Sequence, residues 1–162
     1  MSGMRPTVYV ETTIASYLTA RPSRDTLIRA HQALTKQWWR DRRPEFDLFT
    51  SQFALDEAGA GDPDYATKRL SVLGALRLLE IGESVAPLAE RLLKAGALPF
   101  KARLDALHLA VATANGIEYL LTWNCTHLAN ASLWRKIEQT CQSGGFVAPT
   151  ICTPYELLGS KP

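Results

Sequence analysis

Glu11, Glu57, Asp105 and Asn124 are the side chains whose types and settings suggest shared chemistry. Glu11 closes the strand-like run Thr7-Val8-Tyr9-Val10. Glu57 lies just beyond Ser51, which itself follows a second such run, Phe46-Asp47-Leu48-Phe49-Thr50. Asp105 opens an otherwise apolar helical stretch, and Asn124 ends Leu121-Thr122-Trp123-Asn124. In open α/β sheets, active sites form beyond the carboxyl ends of the strands, so these residues are expected to meet at one edge. Hard oxygen donors without a histidine cluster suit Mg2+ or Mn2+ rather than zinc. Such an ion is held by one or two carboxylates, with substrate phosphate and water in its other positions. Hydrolysis of a phosphodiester is one chemistry that uses this arrangement.

Each of these residues also has a plain structural reading. Glu11 suits the first turn of a solvated helix, and Asp56-Glu57 suits an exposed helix face. Asn124 suits a turn. Asp105 at a helix start gains about 0.3–1 kcal/mol from the helix dipole. Its neighbours Ala102, Leu104, Ala106, Leu107, Leu109, Ala110 and Val111 are apolar, however. A carboxylate in that setting needs a partner, because an unpaired buried charge is expensive. His108, one turn after Asp105, reads as a core-edge histidine or a substrate contact. His127, three residues after Asn124, has the same two readings.

The elements that must position these groups alternate along the chain. After the first strand, Thr12 to Leu18 reads as a short helix. Ser23 or Asp25 caps a longer one carrying Leu27, His31, Leu34 and Trp38 on one face. Gln52 to Ala58 is helical, and Pro63 sits well at the first turn of a helix running to about Ala75. Leu76 to Ile81 reads as a third strand, and Ser84 caps a helix with Val85, Leu88, Leu92 and Leu93 on one face. Ala102 to Asn115 is a buried helix, Ile117 to Leu121 a strand buried on both faces, and Leu128 to Cys141 a further helix. Val147 to Cys152 is the last strand, placed at a sheet edge by Pro149. Strands separated by helices imply βαβ units, hence one α/β domain over residues 1–162 with a mainly parallel sheet.

Composition narrows the function classes. The chain has 162 residues, 46% of them hydrophobic and 21% charged, as in an ordinary soluble domain. Its formal net charge of +2 neither announces nor excludes a nucleic-acid partner. Lys36, Arg40, Arg42 and Arg43 crowd one helix end beside Trp38 and Trp39. Lys101 and Arg103 precede Asp105 and are the better candidates for phosphate contacts. No apolar run approaches the ~20 residues of a membrane helix, and the amino-terminal stretch shows no secretory apolar region. Cys125, Cys141 and Cys152 form no tight pair, so reduced thiols in a cytoplasmic protein are expected. Neither GxxxxGK[ST] nor GxGxxG is present, which argues against nucleotide-fuelled chemistry. A phosphoacceptor site is also disfavoured, because the strand-end acid is Glu11 rather than an aspartate.

Four segments taken in order carry a resemblance. They are Tyr9-Val10-Glu11-Thr12-Thr13-Ile14-Ala15-Ser16-Tyr17-Leu18, Ser51 with Glu57, Asp105-Ala106-Leu107-His108-Leu109-Ala110, and Leu121-Thr122-Trp123-Asn124-Cys125-Thr126-His127-Leu128. Together they resemble the PIN-domain proteins, closest to the VapC-like toxins of toxin-antitoxin pairs, over nearly the whole chain. The resemblance implies a three-layer α/β/α sandwich and an Mg2+- or Mn2+-dependent endoribonuclease. It also implies a cognate antitoxin partner and a homodimer. Glu57 and Asp105 match two of the family's acidic ligands, while Glu11 and Asn124 stand where most or many members have aspartate. By the same resemblance, Glu11, Glu57, Asp105 and Asn124 are both metal ligands and catalytic residues. Thr12, Ser51, Lys101, Arg103, Thr122 and His127 are candidates for contact with RNA or for orienting the carboxylates. The alternative is a weak or inactive PIN fold that binds RNA or protein, motivated by the Glu11 and Asn124 departures.

Overall fold

The computed structural model describes residues 4–159. The amino-terminal stretch read above as lacking a secretory segment begins outside the described residues. Among these residues, five parallel strands, β1 (Thr7–Val10), β2 (Asp47–Thr50), β3 (Arg77–Leu78), β4 (Tyr119–Leu121) and β5 (Thr150–Cys152), form one sheet in the order β3-β2-β1-β4-β5. The chain lays down β1, β2 and β3 toward one edge, then crosses to the far side of β1 for β4 and β5. The reversal falls between β1 and β4, whose register pairs Val8 with Tyr119 and Val10 with Leu121. In such sheets that is where a crevice opens.

Among the described residues, seven α-helices cover the sheet: α1 (Thr12–Thr19), α2 (Thr26–Asp41), α3 (Gln52–Ala58), α4 (Pro63–Leu73), α5 (Val85–Lys94), α6 (Arg103–Ala114) and α7 (Ala131–Ser143). Because successive strand residues face opposite sides, β1 divides its side chains between two cores. Val8 and Val10 join Ile14, Trp38, Ala54 and Leu73 on the side of α1–α4. Tyr9 joins Leu88, Leu92, Leu109 and Ile137 on the side of α5–α7. Leu121 and Leu120 divide in the same way. The result is the three-layer α/β/α sandwich expected from the sequence, with every strand parallel.

The differences from the expected elements have local causes. The third strand shrinks to Arg77–Leu78 because β3 is an edge that pairs only with β2. The helix expected from Leu128 starts at Ala131. Before it, the Asn124 carbonyl takes the N–H groups of Leu128 and Ala129, and the Asn130 side chain caps the helix through Ser132 N at 3.0 Å. A 3-10 turn, Phe100–Ala102, leads into α6. The last strand is at the edge, as expected, but begins after Pro149 rather than around it. Trp38 is fully buried and donates its indole N–H to the Leu157 carbonyl at 3.1 Å. In the basic cluster at the end of α2, Arg40 pairs with Asp41, Arg42 pairs with Glu45, and Arg43 lies over the Trp39 ring at 4.8 Å.

Candidate active site

Glu11 is the N-cap of α1, directly after β1, and is only 2% exposed. Its backbone N–H donates to the Leu121 carbonyl at 3.1 Å, so the strand ladder fixes where the side chain leaves the sheet. The carboxylate accepts hydrogen bonds from Thr13 N at 3.1 Å, from the Thr13 hydroxyl, and from Thr122 Oγ1 at 2.7 Å. Burial raises its pKa, against the lowering effects of the nearby His108 and of these hydroxyls.

From Thr122 the network runs on through the β4 end. Thr122 Oγ1 accepts from Asn124 N at 2.9 Å, and Asn124 Oδ1 accepts from His127 N at 3.1 Å. His127 Nδ1 lies 3.0 Å from Asp105 Oδ2. The partner that Asp105 needs on its apolar helix is therefore His127. Three of the four expected ligands are joined by one chain of hydrogen bonds linking α1, β4 and α6.

Glu57 is held by a second chain of groups. Its Oε1 lies 3.2 Å from His108 Nε2, His108 Nδ1 lies 2.5 Å from the Tyr9 hydroxyl, and Tyr9 Oη lies 2.7 Å from Ser51 Oγ. Tyr9, Ser51 and His108 are completely buried. Burial pushes the Glu57 pKa up, but the hydrogen bond of His108, the facing Thr12 hydroxyl and the His108 charge outweigh this and hold it below the usual carboxylate range. An ionised Glu57 only accepts, so His108 Nε2 carries the proton. In a neutral ring Nδ1 then accepts from Tyr9, and Tyr9 from Ser51. Burial drives the Tyr9 phenol pKa strongly upward and keeps it a neutral donor. Ser51 also caps α3 by accepting from Ala54 N at 3.4 Å. The relay thus ties the start of α3 and the Glu57 carboxylate near its end to β1 and α6.

The two networks meet at a cavity of about 290 Å3, lined by Glu11, Thr12, Glu57, Asp105 and Asn124 together with Thr13, Ser16 and Arg69. Ligand atoms of Glu11, Glu57 and His108 all lie within 4.8 Å of one another. Both ring nitrogens of His108 are already engaged, so its part is to hold Glu57. An apolar groove of about 470 Å3 beside Trp39 and Phe46 is larger, but it contains no converging acids. The oxygen-rich cavity fits a hard divalent cation. The buried Thr12 Oγ1 lines it facing the Glu57 carboxylate but makes no close hydrogen bond, leaving a polar atom for a water or phosphate there to satisfy.

The other expected residues divide. Thr122 and His127 orient site groups directly, and Ser51 acts through Tyr9. Lys101 is exposed on the 3-10 turn and Arg103 pairs with Glu90 at 2.9 Å; neither lines the cavity. Arg69 was not anticipated from the sequence, nor was Tyr9 as a site residue. Arg69 lies on α4, in a segment with no motif, and only the fold brings it to the cavity. The β1 alternation that buries Tyr9 opposite Val8 and Val10 was the available signal for a tyrosine hydroxyl in need of a partner.

The fold is similar to that of a chain in the crystal structure of VapBC2 from Rickettsia felis bound to a DNA fragment from their promoter. The TM-score is 0.52 at 12% identity, covering 91% of this chain and 98% of that one. At that identity the likeness shows the fold, and the fold is the PIN-like one. No family model and no curated protein sequence matches the chain.

Proposed function

We propose that the chain is a divalent-metal-dependent endoribonuclease, acting as the toxin of a toxin-antitoxin pair. The observation that carries this reading is the convergence of Glu11, Glu57 and Asp105 on one cavity at the β1/β4 crossover of a PIN-like fold. Glu11, Glu57 and Asp105 would hold Mg2+ or Mn2+, with the Asn124 side-chain oxygen completing or tuning the set. A bound divalent ion lowers the pKa of water and neutralises charge on a phosphodiester. The protein's own groups do the positioning. Thr13 and Thr122 fix the Glu11 carboxylate, the Tyr9–His108 pair fixes Glu57, and His127 fixes Asp105.

Water, rather than the ribose 2′-hydroxyl, is the nucleophile in this reading, so the products carry 5′-phosphate and 3′-hydroxyl ends. Mapping the ends of fragments made in Mn2+ by wild type and Glu57→Gln tests it. Cyclic 2′,3′-phosphate ends, or equal cutting by the variant, contradict it. A cognate antitoxin, a homodimer and a cytoplasmic setting belong to the same proposal. Among the described residues no helix is long and apolar enough to cross a membrane. The alternative of a binding module with weak catalysis is favoured by one feature: Asn124 Oδ1 already accepts the His127 N–H. A site that stays empty in excess Mn2+ supports that alternative.

A further inference from the structure

We infer that Arg69, with the Thr12 hydroxyl, forms the seat for the phosphate that is cut, an inference that rests on the ribonuclease reading. Arg69 is the one cationic side chain among the residues lining the acidic cavity. Its guanidinium is oriented by the backbone. Nε donates to the Ala58 carbonyl at 3.0 Å and Nη2 to the Ala60 carbonyl at 2.6 Å. These carbonyls lie at and just beyond the end of α3, next to Glu57, so the arginine is fixed relative to a proposed ligand. Two of the five N–H donors of a guanidinium are used in this way, which leaves the remaining ones for a ligand.

Among the described ion pairs, none involves Arg69, although three carboxylates line the same cavity. An arginine whose only role was to balance those acids is expected to pair with one. Held away from them by two carbonyls, it is instead placed to meet an anion entering the cavity. A divalent ion held there and one guanidinium would set cationic groups against the three carboxylates, so an arriving phosphate is not met by acids alone.

Thr12 supplies the second, independent observation. It is 6% exposed, and its Oγ1 is buried on the wall of this cavity, where it faces the Glu57 carboxylate and favours its ionised form but makes no close hydrogen bond. A buried hydroxyl left unpaired is costly, and a phosphate oxygen is an acceptor that relieves that cost. Arg69 contributes charge and planar donor geometry, and Thr12 a single neutral donor.

The test is equilibrium binding of mixed-sequence single-stranded RNA, followed by fluorescence anisotropy over a range of KCl concentrations. Asp105→Asn is present in every arm to suppress cleavage. Calorimetric Mn2+ titrations are run on the Arg69 and Thr12 variants without that change. Arg69→Gln is expected to weaken RNA binding by roughly tenfold or more, the scale of one charge-assisted hydrogen bond. It should also flatten the log–log salt slope by about 0.7, as expected for one lost phosphate contact. Its Mn2+ affinity should hold or rise, because a cation has left the ion's surroundings. Arg69→Lys should restore the salt slope and part of the affinity. Thr12→Val should weaken RNA binding and leave the slope unchanged, which keeps the inference testable even if Arg69→Gln fails to fold.

Joint loss of RNA and Mn2+ binding in Arg69→Gln, without rescue by lysine, would show a role confined to holding the end of α3 and overturn the inference. Unchanged RNA affinity and slope in Arg69→Gln overturn it while leaving the ribonuclease reading in place. No measurable RNA binding at low salt, even with Arg69 intact, removes the ribonuclease reading and this inference together.

Discussion

Tyr9→Phe isolates the relay that holds Glu57. The substitution deletes one oxygen from a fully buried ring and leaves its shape unchanged, so no cavity forms beyond that atom. That oxygen lies 2.5 Å from His108 Nδ1 and 2.7 Å from Ser51 Oγ. Ser51 keeps the Ala54 N–H but loses its bond to the phenol, and His108 Nδ1, on a ring with no exposed surface, loses its partner. A buried polar group stripped of its partner costs about 1–3 kcal/mol. For a domain of this size each kcal/mol moves Tm by about 2–4 °C, so a fall of roughly 2–12 °C is expected. Differential scanning calorimetry of metal-free protein at pH 7 measures it, with Tyr155→Phe as control. Tyr155 is 66% exposed, and its variant should stay within about 0.5 kcal/mol of wild type. The relay also predicts non-additivity. In a cycle with His108→Gln, the double variant should lose less than the two single losses together, with about 0.5–3 kcal/mol of coupling. A Tyr9→Phe Tm indistinguishable from wild type, or additive losses, would refute the relay as the device that places Glu57.

Other consequences follow from the same geometry. His108→Ala should weaken Mn2+ binding by about 10–100-fold, the usual scale for a group that orients a ligand, as read by calorimetric titration. Burial raises the Glu11 pKa, so its carboxyl favours the neutral form more in the folded chain than in the unfolded one. Stability from this group is complete below the unfolded value of about 4.3 and declines as pH rises through the folded pKa. Metal-free Glu11→Gln should therefore melt above wild type at pH 7, and that advantage should vanish below about pH 4. Mn2+ should raise the Tm of wild type only. Glu57 has the opposite sign: its lowered pKa adds stability above the unfolded value that is lost as pH falls through the folded one. Thr12→Val removes a buried hydroxyl from the cavity wall beside Glu57 and should slow cleavage, as read from initial rates in Mn2+. Of the three free cysteines, only Cys125 is exposed, so a thiol reagent should modify one group quickly and all three after denaturation.

The sequence made the carboxylates legible because strand ends and a lone acid on an apolar helix follow from local patterns. Glu11 directly after Val10 and Asp105 among Ala106, Leu107, Leu109 and Ala110 needed no knowledge of tertiary structure. The division of β1 into two cores was legible from the period of two. What local pattern could not show was which partners meet across the fold. His127 was a candidate for the site, yet its pairing with Asp105 depends on the turn after β4, which also delays α7 to Ala131. His108 was weighed against Asp105 because both lie on one helix. It instead serves Glu57, on a helix 51 residues away in sequence. Lys101 and Arg103 were favoured by proximity in sequence to Asp105, and proximity in space favours Arg69 from α4.

The central claim is that these carboxylates hold an ion used to cut RNA. Its most direct test is the rate of cleavage of a mixed RNA pool by wild type and Asp105→Ala purified side by side, with Mn2+, Mg2+ or EDTA. The account predicts cutting by wild type that rises with metal to saturation, stops in EDTA and is absent in a folded Asp105→Ala. Equal cleavage by the two proteins, or cleavage by wild type that persists in EDTA, would contradict it.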